Sequence, residues 1–211
     1  QRGLTGRYDR PMLRASCFRT CVLVLVLAGA AAGCREAGPS LAERAKAAQE
    51  AQAAADAKAR EETRAKLEAQ RIAALWRYQQ ADVGGAQVTA AIFATDDVHA
   101  DGRGPRPVQL VFRDHEKWGR SAYLVLQAGD FACRPGCSVE VKADDAAPRR
   151  LAAWRPDTDE AIALFIRDTP AFWRLTGDAS RLRVTFPVRA GGTRTASFEV
   201  VGLDESKMPG W

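Results

Sequence analysis

The stretch LRVTFPVRAGGTRTASFEVV, residues 182–201, decides the fold class of this chain. Apolar side chains alternate with polar ones along its first half, at Leu182, Val184, Phe186 and Val188. A second alternating run follows at 193–201, and Gly191-Gly192 between the two runs favours a tight hairpin turn. Because period-two alternation is typical of a strand with one buried face, the stretch predicts two neighbouring antiparallel strands.

Six further short runs upstream have the same strand-like composition, and they span residues 87–95, 107–113, 122–127, 138–142, 151–154 and 161–166. Turn-forming residues separate these runs at short intervals, which favours an antiparallel arrangement. The run 161–166 is apolar on both faces, so we expect it at the centre of the sheet.

One short helix interrupts the strands. The segment 168–170 begins it, because Thr169 can cap a helix and the following proline suits the first helical position. Gly177 is expected to end it, and its aromatic residues are interpreted as packing, with a ligand platform as the alternative. The sequence therefore predicts a mainly β (α+β) fold, with an antiparallel β-sandwich-like domain over residues 84–205 and a tail at 206–211.

An alanine-rich helical spacer is predicted upstream of this domain over residues 40–80, as one helix of about 38 residues that ends near Tyr78. The segment SLAE at 40–43 matches a capping box, and the residues that follow are strong helix formers without Gly or Pro. Leu41 is the only large apolar residue before Leu67, so no coiled-coil seam is sustained. We interpret the helix as a solvated spacer about 57 Å long; a weak coiled coil and a largely disordered linker are the alternatives. Its last turns carry an apolar face expected to dock on the domain, formed by Leu67, Ile72, Leu75 and Trp76.

The segment CVLVLVLAGAAAGC, residues 21–34, has the form of a bacterial export leader. Counted from Met12, Arg14 and Arg19 precede the apolar run, which is shorter than the roughly 20 apolar residues of a transmembrane helix. Small residues then lead into Cys34. Met12 is the expected start, and residues 1–33 are the expected leader.

The ending Ala-Ala-Gly-Cys at 31–34 resembles the signal of bacterial lipoproteins. This resemblance implies cleavage before Cys34, attachment of three acyl chains that include palmitate, and a lipidated tether over residues 34–39. Arg35 after the cysteine implies sorting to the outer membrane, with the domain facing the periplasm. Ordinary signal-peptidase cleavage within the preceding alanines is the alternative.

The net charge of +5 does not by itself indicate a nucleic-acid-binding protein. Five arginines and one aspartate in residues 1–33 account for +4 of it, so the remaining chain is near +1. A nearly neutral domain with interspersed charges lacks the basic surface of nucleic-acid-binding proteins. We therefore expect no nucleic-acid partner.

Two cysteines remain after the leader and Cys34 are set aside. Cys133 and Cys137 flank Arg-Pro-Gly, which is turn-forming and brings both ends together. An oxidising envelope favours a disulfide between them. A metal site and a redox pair are the alternatives, although a metal would need further ligands and only His99 and His115 exist.

No catalytic motif stands out in the sequence, and no cofactor or metal is expected. His115 lies in a charged segment interpreted as a solvated hairpin tip, and Asp96, Asp97 and Asp101 resemble a calcium loop only weakly. Trp118 and Trp154 are the candidate partner surface, because tryptophan is favoured at interface hot spots.

The run Gly129–Cys133, continued by CSV at 137–139 and the strands after it, is similar to small exported β-domains of proteobacteria. Invasion-associated locus B proteins and type VI secretion accessory proteins share this outline. No function is carried over from this outline. The leader, Cys34, the helical spacer and the absence of a catalytic motif instead favour a non-enzymatic envelope lipoprotein, anchored by lipid, that binds a protein partner or peptidoglycan. The alternatives are an assembly protein of a secretion machine and an envelope hydrolase with a site near Asp96, Asp97, His99 or His115.

Overall fold

A computed structural model describes residues 38–101, 104–157 and 162–211 of the chain. The predicted leader and residues 34–37 of the predicted tether, with Cys34 as the lipidated residue, lie outside the described residues. The chain divides into two compact units, Gln1–Ala51 and Gln52–Trp211.

Helix α1 spans Leu41–Ala73 and has no buried residue. The predicted capping box is confirmed, because the Ser40 N–H donates to the Glu43 carboxylate at 2.7 Å and the Glu43 N–H donates to the Ser40 hydroxyl at 3.3 Å. These hydrogen bonds lower the pKa of Glu43. The predicted end near Tyr78 is wrong, since the chain turns after Ala73 and then forms a strand.

Nine strands form one sheet in the order β1-β2-β3-β4-β7-β6-β5-β8-β9, and every neighbouring pair is antiparallel. Their bounds are β1 Arg77–Asp82, β2 Ala86–Phe93, β3 Val108–His115, β4 Gly119–Leu126, β5 Cys137–Ala143, β6 Arg149–Trp154, β7 Ala163–Ile166, β8 Arg181–Pro187 and β9 Thr193–Glu199.

The eight strands predicted from the sequence are confirmed, and β7 is the central strand as expected. The sandwich arrangement is not confirmed, because the strands form a single open sheet rather than two stacked ones. At one edge of that sheet, β9 meets the segment after β2, where the Thr95 N–H donates to the Ser197 carbonyl at 2.7 Å.

The core lies on one face of the sheet and is closed by helix α2, Thr169–Gly177. Phe112 is fully buried at its centre and touches four aromatic rings at centroid distances of 4.8–6.1 Å, from Trp76, Phe172, Trp173 and Trp211. The residue that caps α2 is Asp168, whose carboxylate accepts the Ala171 N–H. The predicted cap, Thr169, instead donates its hydroxyl to the Ile166 carbonyl.

Two ends of the domain differ from their predicted roles. Trp76, just after helix α1, is buried and donates its indole N–H to the Val200 carbonyl at 3.2 Å, whereas Leu67 is exposed and takes no part in this docking. Met208 is also buried, and Trp211 packs on the core, so residues 206–211 belong to the packed domain rather than to a free tail. Among the described helices, none is long and apolar enough to cross a membrane.

Candidate binding surface on the outer face of the sheet

The outer face of the sheet, opposite the core, carries a row of large apolar side chains across its central strands. The register aligns Val111 of β3 with Tyr123 of β4, Tyr123 with Phe165 of β7, and Phe165 with Trp154 of β6. We call these four residues the aromatic row. Strands lie about 4.8 Å apart, so the row extends about 14 Å across the sheet.

This row arises from strands that are apolar on both faces. In β4, Ala122, Leu124 and Leu126 are buried in the core, so Tyr123 must point to the outer face. In β7, Leu164 and Ile166 face the core and Phe165 faces outward. The three aromatic residues of the row are only partly buried there.

The rings of the row stack on one another. The Phe165 ring lies 4.8 Å from that of Tyr123 at 35° and 5.0 Å from that of Trp154 at 25°. Because β7 lies between β4 and β6, the two neighbours cover opposite faces of Phe165. The row therefore presents ring edges more than open ring faces to the outside.

Arg113 extends the row toward a second tryptophan. Its guanidinium carbon lies 5.6 Å from the centroid of Tyr123 and 5.3 Å from that of Trp118, within the range of cation–π attraction. The Arg113 Nε also donates to the Ser121 hydroxyl at 3.1 Å, which fixes the guanidinium. Burial raises the pKa of Tyr123, and the charge of Arg113 partly opposes this shift.

His115 is a structural residue beneath Trp118. Its side chain is 1% exposed, and the Trp118 ring stacks on it at 3.8 Å and 21°. Its Nδ1 accepts the N–H groups of Lys117 and Trp118, while Nε2 lies 3.1 Å from the Val83 carbonyl and donates to it. The predicted hairpin turn is confirmed, and residues 116–118 are exposed, but His115 itself is not solvated. Both of its ring nitrogens are engaged, and no lone pair is left for a metal or a substrate proton.

The other end of the row lies beside the disulfide turn. Cys133 and Cys137 are bonded, and Cys137 pairs with Ala153, the residue before Trp154. The next residue, Arg155, donates its Nε to the Asp130 carboxylate at 2.6 Å. Burial opposes ionisation of Asp130, but hydrogen bonds from Arg155, Arg189 and the Phe131 N–H outweigh it and hold its pKa below the ordinary value.

The carboxylates and histidines proposed for catalysis are not brought together. Asp96, Asp97 and His99 are exposed and follow the end of β2, whereas His115 pairs with Gln87 near the start of that strand. Six residues of strand separate the two places by about 20 Å. Among the described residues, no group of three His, Cys, Asp or Glu side chains could hold a metal ion.

A polar groove of about 630 Å³ does gather several carboxylates, including Asp96, Asp144 and Glu199. Asp144 accepts the Ser180 and Arg181 N–H groups, and Glu199 pairs with Arg71. These bonds lower the pKa of both carboxyl groups. Each is therefore committed to the fold as an anion, and neither has the raised pKa of a general acid.

Sequence reasoning singled out the two ends of this surface and missed its middle. The structure links Trp118 to Trp154 through Arg113, Tyr123 and Phe165; that these residues bind a partner stays a prediction. The sequence did contain a signal for the missed residues, because Tyr123 and Leu124 point to opposite faces of a strand that is apolar on both faces.

In comparisons with known proteins, the chain matches no protein-family model, no curated protein and no solved structure.

Proposed function

We propose that this protein is a lipid-anchored, non-enzymatic binding protein of the bacterial envelope. Acyl chains on Cys34 hold it in the outer membrane, and the β-domain binds a partner protein in the periplasm through the aromatic row together with Arg113 and Trp118. The observation that carries the binding role is the row itself. Core packing does not require aromatic residues on the outer face of a sheet, and such residues are typical of interface hot spots.

The stacking within the row favours a protein over the glycan strands of peptidoglycan. A sugar ring binds by laying its C–H groups on the face of an aromatic ring, where the π-electron density is negative. Both faces of Phe165 are covered by its neighbours, Tyr123 and Trp154. Ring edges and the side of an indole suit apolar side chains of a protein better.

The charge around the row indicates the kind of partner surface. Arg113 lies at one end, and Arg77 lies over the ring of Phe93 on the same outer face, at 5.4 Å. Guanidinium groups that rest on aromatic rings keep their charge available to a partner carboxylate. The partner surface is expected to combine apolar side chains with flanking acidic residues.

Site-specific photocrosslinking in cells tests the binding role. Position Phe165→p-benzoylphenylalanine probes the row, and Thr195→p-benzoylphenylalanine is the matched control, because Thr195 lies on the outer face of the distant strand β9. A protein crosslinked from position 165, absent from position 195 and lost on adding Trp154→Ser, is the expected result. Equal products from both positions, or a product digested by a muramidase, would contradict a protein partner at the row.

Fractionation tests the anchor separately. The Cys34→Ala variant is expected to leave the membrane fraction, because an acyl chain contributes about 0.8 kcal/mol per buried CH₂ and several chains act together. Retention of this variant in the membrane would refute lipid anchoring and leave the crosslinking result untouched. If the crosslinked protein belongs to a secretion machine, the protein is an assembly component of it.

A further inference from the structure

A second surface feature, unrelated to the aromatic row, is a pocket of about 430 Å³ with three arginines around it. Arg120 lies at the start of β4, Arg167 directly follows β7, and Arg174 lies in helix α2. Trp173, Trp211 and the first turn of α2 complete the lining. We call this feature the arginine pocket, and we propose that it binds a phosphate-type oxyanion.

The three guanidinium groups have no counter-charge within the part of the chain that the structure describes. No ion pair within 4.0 Å joins any of them to a carboxylate of the described residues. Acids do lie near them in the sequence and the register: Asp168 directly follows Arg167, Asp178 comes four residues after Arg174, and Asp114 is the cross-strand neighbour of Arg120. Three like charges from separate elements line the same pocket, and a bound anion offsets the repulsion between them.

One of the lining residues, Trp211, also has a buried donor without an acceptor. Trp211 stacks on Trp173 at 4.6 Å, and its Nε1 is buried with no hydrogen-bond partner among the described residues. A buried N–H without an acceptor is costly, so such groups are rare.

The number of donors favours phosphate over a carboxylate. One guanidinium fork satisfies one carboxylate in a bidentate pair. Three forks on separate elements instead match a tetrahedral group with several charged oxygens, since each fork is rigid and planar. Free phosphate esters and the headgroups of anionic lipids share this chemistry.

Binding is measured with the full-length chain carrying Cys34→Ala, so that lipid does not itself hold the protein on a membrane. One arm titrates inorganic phosphate and pyrophosphate and records tryptophan fluorescence, because Trp173 and Trp211 line the pocket. The other arm measures cosedimentation with phosphatidylcholine vesicles that contain or lack phosphatidylglycerol. Both arms compare Arg174→Gln with Arg183→Gln, which removes the same charge from an exposed position outside the pocket.

We expect saturable binding that Arg174→Gln weakens about tenfold or more, the effect of losing one charged hydrogen-bonding group, and that Arg183→Gln leaves unchanged. Binding in the first arm alone identifies a free phosphate ester as the ligand. Binding to phosphatidylglycerol vesicles that phosphate competes away identifies a headgroup. Absence of binding in both arms, or equal weakening by the two variants, overturns the proposal.

Discussion

The ion pair between Asp130 and Arg155 lies beside the disulfide turn, and its contribution to the free energy of unfolding depends on pH. The Arg155 side chain is 4% exposed and that of Asp130 is 19% exposed. The substitution Asp130→Asn keeps the size of the side chain and an oxygen that can accept the Phe131 N–H. It removes the negative charge that accepts the Arg155 Nε–H at 2.6 Å.

The expected loss is about 3 kcal/mol of unfolding free energy at pH 7. Removing one partner of a buried ion pair costs about 3–5 kcal/mol, and the partial exposure of Asp130 places this pair at the lower end. Arg189→Gln is the matched control, because Arg189 contacts the same carboxylate at 3.3 Å but its side chain is 73% exposed. Exposed pairs contribute about 0–1 kcal/mol, so this variant should lose less than about 1 kcal/mol.

The pH dependence follows from the lowered pKa of Asp130. A carboxyl group whose pKa is lower in the folded protein stabilises the fold above its unfolded value, about 3.9. That contribution is lost as the pH falls through the lower, folded value. The gap between the wild-type protein and Asp130→Asn should therefore stay constant from about pH 7 to pH 5 and narrow below about pH 4.

Urea unfolding of the three proteins, followed by tryptophan fluorescence at several pH values, measures these differences. With a slope of about 2 kcal/mol per molar urea, the expected loss at pH 7 shifts the midpoint by about 1.5 M. A loss below about 1 kcal/mol for Asp130→Asn at pH 7, or a gap of the same size at pH 3, would refute the reasoning.

Two further stability predictions use the same unfolding assay. Phe112→Ala should lower the free energy of unfolding by about 3–5 kcal/mol, because it empties the centre of the aromatic core. Phe93→Ala, on the exposed outer face, should lower it by less than about 1 kcal/mol. Similar losses would contradict the core assignment. Gly202→Ala should destabilise the protein more than Gly84→Ala. Both glycines have φ near +70°, but only at Gly202 would the new Cβ lie 2.6 Å from Ile72. Equal losses would show that helix α1 does not pack there.

Most strands were predictable from the sequence because they bury either one face, which gives alternating apolar residues, or both faces, which gives a continuous apolar run. Alternation located eight of nine strands, and the two-sided apolar run gave β7 its central place. Strand β1 was missed because RYQQAD has no apolar alternation, and all its residues except Tyr78 are exposed. Good helix formers continue to residue 80, so only pairing with β2 decides that these residues form a strand.

The order of the strands was not predictable, and the candidate site depends on it. Alternation indicates which residues share a face within one strand, but not which strands are neighbours. The aromatic row exists because β7 lies between β4 and β6, which brings Phe165 between Tyr123 and Trp154. His115 was misjudged for a related reason: its neighbours in sequence are charged, while Trp118 folds back over its ring.

The outer face is divided into an apolar half and a polar half, and this division argues for binding rather than folding. Across β3, β4, β7 and β6 the face carries the aromatic row, whereas across β5, β8 and β9 it carries Ser138, Glu140, Arg183, Thr185 and Thr195. All these strands bury the same kind of inner face, with valine, leucine and phenylalanine in the core. The polar half shows that strands of this sheet can form and bury their inner face without aromatic residues on the outer face. The outward aromatic residues lie on β2, β4, β7 and β6, and those of the row are on three adjacent strands. Their restriction to this half of the face is therefore a local property of the surface, which is where a partner can bind.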